Sequence, residues 1–93
     1  MSNDVFQCDV LTPERRVFSG PVRHVQIPAH DGLMGVLANH APMLVELGDG
    51  LLRLDTVQGR ESWYITGGFA EVTMDKTVIL TQSAVRPGLN RPG

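Results

Sequence analysis

His30, Asp31 and His40 are the residues whose types most invite a chemical reading. Two imidazoles and a carboxylate in one short stretch could hold a metal ion or exchange protons. Adjacent residues on an extended chain point to opposite sides, however, so His30 and Asp31 do not converge by default. An Asp31-Gly32 turn with a solvent-facing His30 is the reading that local chemistry favours. Gly67-Gly68-Phe69 looks like a fragment of a phosphate loop, but no Lys-Ser/Thr follows it, a third glycine is missing and no helix is predicted behind it. The pair reads better as a kink or bulge where a bulky neighbour or another backbone comes close. Ser19, Ser62 and Ser83 lie outside any Gly-x-Ser-x-Gly elbow. Cys8 alternates with Phe6 and Val10, the pattern of a buried, inert thiol. As the single cysteine it excludes an intrachain disulfide and a thiolate zinc cluster. No catalytic residue, metal site or cofactor site is expected.

The elements that must position these residues are strands. Ten Gly and six Pro interrupt the chain so often that long helices have no room. Period-two alternation recurs: Phe6, Cys8 and Val10 against Gln7 and Asp9; Leu52 and Leu54 against Arg53 and Asp55; Ala70, Val72 and Met74 against Glu71 and Thr73. Trp63 and Tyr64 fall on opposite faces of one strand, so one is a core anchor and the other a surface residue. Strands are predicted at 5–11, 15–19, 22–28, 35–37, 43–47, 51–57, 61–66, 69–74 and 77–82. Turn chemistry at Thr12-Pro13-Glu14, Ser19-Gly20-Pro21, Gly48-Asp49-Gly50, Gln58-Gly59-Arg60 and Asp75-Lys76 makes the links short, which favours antiparallel pairing. An all-β sandwich or flattened barrel follows.

With 42% hydrophobic side chains, 93 residues suffice for one domain with a core. A net charge of −2 and a single lysine, Lys76, argue against nucleic-acid binding. Apolar runs fall far short of the roughly 18 residues that a membrane helix needs. The N-terminal residues lack the pattern of a signal or transit peptide, which predicts a cytosolic protein. Residues 1–86 read as the folded domain and 87–93, with their Pro-Gly pairs, as an irregular tail.

Residues 29–42 break the pattern, being too long for a hairpin and too apolar for a solvent loop. Leu33, Met34, Val36, Leu37 and Met43 cluster there beside Gly32, Gly35 and Pro42. Some of them must fold onto the sandwich, and the remainder form an exposed apolar patch of the kind that meets a protein partner.

Read in order, Asp9-Val10-Leu11-Thr12-Pro13-Glu14, Val17-Phe18-Ser19-Gly20, Asp31-Gly32-x-x-Gly35-Val36-Leu37-x-Asn39-His40-Ala41-Pro42-Met43-Leu44, Gly50-x-Leu52-Arg53, Gly67-Gly68-Phe69-Ala70-Glu71-Val72 and Val78-Ile79-Leu80-x-x-x-Ala84 resemble the epsilon subunit of the F-type ATP synthase, from about residue 5 to 86. The resemblance implies a flattened antiparallel β-sandwich of about ten strands. It also implies a non-catalytic subunit of the central stalk, peripheral to the membrane on its cytoplasmic face in the bacterial arrangement. Its partners there are the gamma subunit and the c-subunit ring, and its work is to help couple proton- or sodium-driven rotation to ATP synthesis.

By matching positions, Pro28, His30, Asp31, Leu33 and Met34 resemble the edge that meets the c ring. Thr12, His40 and the strand through Val45 resemble the face turned to gamma. Gly32, Gly35, Pro42, Gly67, Gly68 and Phe69 take structural places. Relatives often carry an acidic residue where Leu33 stands, so the ring contact is expected to be more apolar or to rest on Asp31. Relatives also commonly continue as a helical hairpin that can restrain hydrolysis or bind ATP. The sequence stops at Gly93, which predicts neither property. Two other readings remain: an independent β-sandwich adaptor, and a small β-barrel enzyme or metal- or ligand-binding domain using His30, Asp31 and His40.

Overall fold

A computed structural model describes residues 4–87. Nine strands form among the described residues: β1 (Phe6–Leu11), β2 (Arg16–Ala29), β3 (Gly32–Val36), β4 (Met43–Leu47), β5 (Gly50–Thr56), β6 (Gly59–Ile65), β7 (Gly68–Val72), β8 (Lys76–Leu80) and β9 (Ala84–Val85). The strands follow the order β1-β8-β7-β4-β2-β5-β6-β9, β3 pairs with β2, and β1 also pairs with β2. Hydrogen bonding therefore closes the circuit β1-β8-β7-β4-β2, while β3, the second half of β2, β5, β6 and β9 make the other layer. Among the described residues no helix is long and apolar enough to cross a membrane.

Alternation decides which side chains meet between the layers. Phe6, Cys8 and Val10 of β1 face Leu52 and Leu54 of β5 and Trp63 and Ile65 of β6 in one continuous buried cluster. Val22, Val25, Ile27, Val36, Val45, Leu47, Ala70, Val72 and Ile79 complete it. Each large side chain in such a core contributes about 1.5–3 kcal/mol by leaving water. The Trp63–Tyr64 ambiguity resolves with Trp63 inside, 3% exposed, and Tyr64 outside.

Five sequence expectations are corrected. The turn at Ser19-Gly20-Pro21 does not form. Residues 16–29 are one strand, because Gly20 and Pro21 pair with Cys8 and Gln7 of β1. A register shift between Val22 and His24 follows directly, where the strand passes on to β5, so the Gly-Pro pair lies inside the strand just before that irregularity. The second correction concerns β1 and β8, which pair parallel from Gln7↔Lys76 to Leu11↔Leu80. The short-link argument applied only to neighbours in sequence, and these strands are far apart along the chain.

The segment 29–42 does contain a hairpin. Ala29 pairs with Gly32 across His30 and Asp31, and β3 begins at residue 32 rather than 35. Ala84 and Val85 form a short strand on β6, beyond the last strand predicted at 77–82. Met74 is also exposed rather than inward, because β7 ends at Val72 and Met74 lies in the turn where the Thr73 N–H donates to the Lys76 carbonyl (2.8 Å). The tail expected at 87–93 lies outside the described residues apart from Pro87.

Candidate functional site

The turn between β2 and β3 is tied to β4 by backbone bonds. The His30 N–H donates to the Glu46 carbonyl and the Gly48 N–H to the Pro28 carbonyl, both at 2.8 Å. Gly32 closes the turn at φ 139°, a conformation that favours glycine. Between this turn and β4 runs an open groove of about 480 Å³, lined by His30, Asp31, Leu33, Met34, Met43 and Leu44 among others. Leu33 is 71% exposed and Leu44 69% exposed. The groove thus brings the residues expected at the ring edge beside the strand expected at the gamma face.

Pro28 and Val45 are buried, so they support this surface from beneath and the outward positions on β4 are Leu44 and Glu46. Thr12 lies elsewhere, in the β1–β2 turn, where its hydroxyl accepts from the Arg15 N–H (3.3 Å) and donates to the Arg15 carbonyl (3.2 Å). His40 sits on the β3–β4 connection after Asn39, a residue in the left-handed region at φ 65°. Its Nδ1 donates to the neighbouring Ala41 carbonyl at 2.7 Å, which holds the ring against its own loop. Pro42 is exposed directly before β4. At Gly35 a Cβ would stand 2.9 Å from His24 Nε2, so the missing side chain makes room for that imidazole.

Gly67 and Gly68, in the bend that leads into β7, take φ 54° and 109°. A Cβ on Gly68 would collide with the Leu80 carbonyl oxygen, the close backbone approach that the glycine pair suggested. Phe69 then points outward, 51% exposed. It belongs to a row that sequence reading did not assemble. Glu46, Phe69, Leu80 and Leu11 are successive cross-strand partners on β4, β7, β8 and β1.

A second open groove, again about 480 Å³, runs along this row and is lined by Leu11, Thr12, Pro13, Phe69, Leu80 and Gln82 among others. Thr12 and the outer face of β4 are therefore joined by an apolar strip. The opposite outer face is polar: Gln26 pairs with Arg53 and Arg53 with Ser62, while His24, Asp55 and Arg60 follow in the adjoining row. Asp55 holds Arg60 Nε at 3.0 Å and His24 Nδ1 at 3.6 Å. The signal for this polarity was present in the phase of the alternation, since Ala70 and Val72 inside require Phe69 outside.

Electrostatics add little chemistry. Asp9 is held below the ordinary carboxylate value, chiefly by the Ser19 hydroxyl donating at 2.7 Å, with help from Gln7 and Lys76. Burial, and secondarily the Asp9 charge, push the Cys8 thiol up to about 12. Among the described residues no three His, Cys, Asp or Glu side chains gather as a metal site would require.

A sandwich with an apolar row on one outer face, polar rows on the other and open grooves along a rigid hairpin edge is an all-β scaffold that offers surface. Comparison with known proteins gives that scaffold its kinship. Residues 5–87 match the family of the ATP synthase delta/epsilon chain, β-sandwich domain, and the chain belongs to that family. It is 43% identical over 79 residues to the ATP synthase epsilon chain of Rhodopirellula baltica, covering 85% of this chain and 62% of the relative. With the ATP synthase epsilon chain of Chlorobium limicola it shares 39% identity over 82 residues, covering 87% and 93% respectively. The chain spans about 60% of the length of several other curated relatives that it matches. Among solved structures, a chain of the Euglena gracilis mitochondrial ATP synthase OSCP/F1/c-ring assembly superposes with a TM-score of 0.87 at 27% identity, over 94% of this chain and 56% of that one.

Proposed function

We propose that the chain is the β-sandwich part of a non-catalytic central-stalk subunit of a rotary F-type ATP synthase, binding the gamma subunit on one side and the c-subunit ring on another. In this reading it is peripheral to the membrane, on the cytoplasmic face, and helps to couple ion-driven rotation to ATP synthesis. The observation that carries the reading is the joining of the hairpin edge to the apolar row on the sheet. His30–Met34 lie beside β4, and from Glu46 of β4 the row Phe69, Leu80 and Leu11 extends toward Thr12. Leu33 and Asp31 would meet the ring, while Thr12, His40 and the outward positions beside Val45 would meet gamma. A subunit between two rotor parts must not shear, and the backbone bonds His30 to Glu46 and Gly48 to Pro28 supply that stiffness. The kinship with epsilon chains and the F1/c-ring assembly containing the Euglena neighbour support the same placement.

The test is native co-purification of the chain with gamma and ring subunits, for wild type and Leu33→Glu. Because Leu33 is largely exposed, the substitution should change stability by no more than about 0.5 kcal/mol. It should nevertheless weaken recovery of the ring while leaving gamma bound. A folded wild-type chain that recovers no gamma would overturn the assignment.

A further inference from the structure

One side chain fastens the end of the described chain to the sandwich. The Arg86 guanidinium carbon lies 4.3 Å from the centroid of the Trp63 ring, and its Nη1 lies 2.7 Å from Glu61 Oε1. Trp63 in turn packs at a tilt on Phe18, with ring centroids 5.9 Å apart. Arg86 therefore closes a stack that reaches from the surface into the seam between β2 and β6.

The chain just before it is held quite differently. The Thr81 hydroxyl donates to the Thr66 carbonyl (3.0 Å) and accepts from the Thr66 N–H (3.2 Å), the Gln82 N–H donates to the Thr66 carbonyl, and the Thr66 and Ser83 hydroxyls meet at 2.9 Å. Up to Ser83 the backbone is pinned. Beyond it, among the described residues, two ladder positions, Tyr64↔Val85 and Ile65↔Ala84, the packing of the partly buried Ala84 against the core, and Arg86 hold the strand. Val85 is half exposed, and both members of the Arg86–Glu61 pair are more than a third exposed, so water and salt compete for the ion pair. The cation over the indole is the firmer contact.

We infer that residues 84–86 form a releasable strap over the edge of β6, closed when Arg86 sits on Trp63 and opening about Ser83 without unfolding the sandwich. A two-residue ladder with one partly buried side chain, Ala84, between exposed neighbours places it at the low-stability end of the molecule. Opening uncovers Trp63 and the edge backbone of Tyr64 and Ile65, the kind of unpaired edge to which another strand can add. The strap thus links the position of the chain at Pro87 to the packing of Trp63.

Trp63 is the only tryptophan, so its fluorescence reads this site alone. The experiment compares acrylamide quenching and residue-resolved amide exchange in the 93-residue chain, for wild type, Arg86→Ala and Arg86→Lys. Arg86→Ala should speed exchange of the β6–β9 ladder amides roughly tenfold and raise Trp63 quenching, while β1 amides stay within about twofold of wild type. Arg86→Lys, which keeps the charge but loses the flat stacking surface, should fall between them. A wild-type titration from about 0.05 to about 0.5 M salt reads the same equilibrium without any substitution, and should loosen the strap in part. Unchanged ladder exchange in Arg86→Ala, or acceleration shared equally by β1, would overturn the inference.

Discussion

Replacing Gly68 by alanine should be among the costliest single-methyl additions to this domain. Two separate penalties act at the position. The backbone sits at φ 109°, which residues with a Cβ rarely adopt, a strain of about 1–3 kcal/mol. The new Cβ would also collide with the Leu80 carbonyl oxygen and stand 2.9 Å from both the Leu80 carbonyl carbon and the Thr81 Cα. These are backbone atoms, so relief requires β8 to move, at roughly 1–3 kcal/mol. A gain of about 0.4–1 kcal/mol from reduced freedom in the unfolded chain offsets part of this.

The net loss for Gly68→Ala is thus about 1–5.5 kcal/mol, a large share of the roughly 5–15 kcal/mol that typically holds a domain together. Gly32→Ala is the matched control, because its φ of 139° brings the same kind of strain with nothing within 4 Å of the added Cβ. Equilibrium urea unfolding of both variants and wild type, with unchanged m values, measures the difference. Gly68→Ala should lose at least about 1 kcal/mol more than Gly32→Ala. Equal losses would refute the argument that the β7–β8 approach, rather than the dihedral alone, makes glycine necessary.

Phe69→Ala should cost less than about 1 kcal/mol in the same urea assay, against the roughly 3–5 kcal/mol expected of a buried ring, since half of its surface remains in water. Cys8 should resist iodoacetamide at mildly alkaline pH until the chain is unfolded, as mass spectrometry of labelled protein would show. Because the folded thiol keeps its proton to about 12 while an unfolded cysteine releases it near about 8.5, stability should fall as pH rises through that interval. Asp9 works in the opposite sense. Its lowered value gives stability above the ordinary aspartate value of about 3.9 that is lost as pH falls, and Ser19→Ala should shift acid unfolding, followed by circular dichroism, to higher pH.

The parts of the fold that were legible in the sequence are those governed by local alternation. Phe6, Cys8 and Val10 had to share a face, and so did Leu52 with Leu54, because side chains on a strand repeat every two residues. Gly20-Pro21 misled, since the same residues that end a strand in a hairpin can lie inside one that continues along a partner. The parallel pairing of β1 with β8 carries no local signature at all, and Ala84–Val85 is too short to show a period. At the candidate surface, the Asp31-Gly32 turn and the exposure of Leu33 were readable from turn chemistry and misplaced hydrophobicity. Resemblance pointed to positions but not to faces, which is why Pro28 and Val45 lie inside while Leu44 and Glu46 face outward. The outer row was hidden for a related reason: Leu11, Leu80, Phe69 and Glu46 become neighbours only once four strands are laid in register.

The fourteen residues of β2 belong to both layers, first beside β1 and then beside β3 and β5. A push on either broad side of the molecule is therefore carried to the other through peptide bonds at Pro21–Arg23, in addition to whatever passes through interdigitated side chains. Such a splice lets the two sheets tilt as one block, and sliding them apart would require stretching covalent chain.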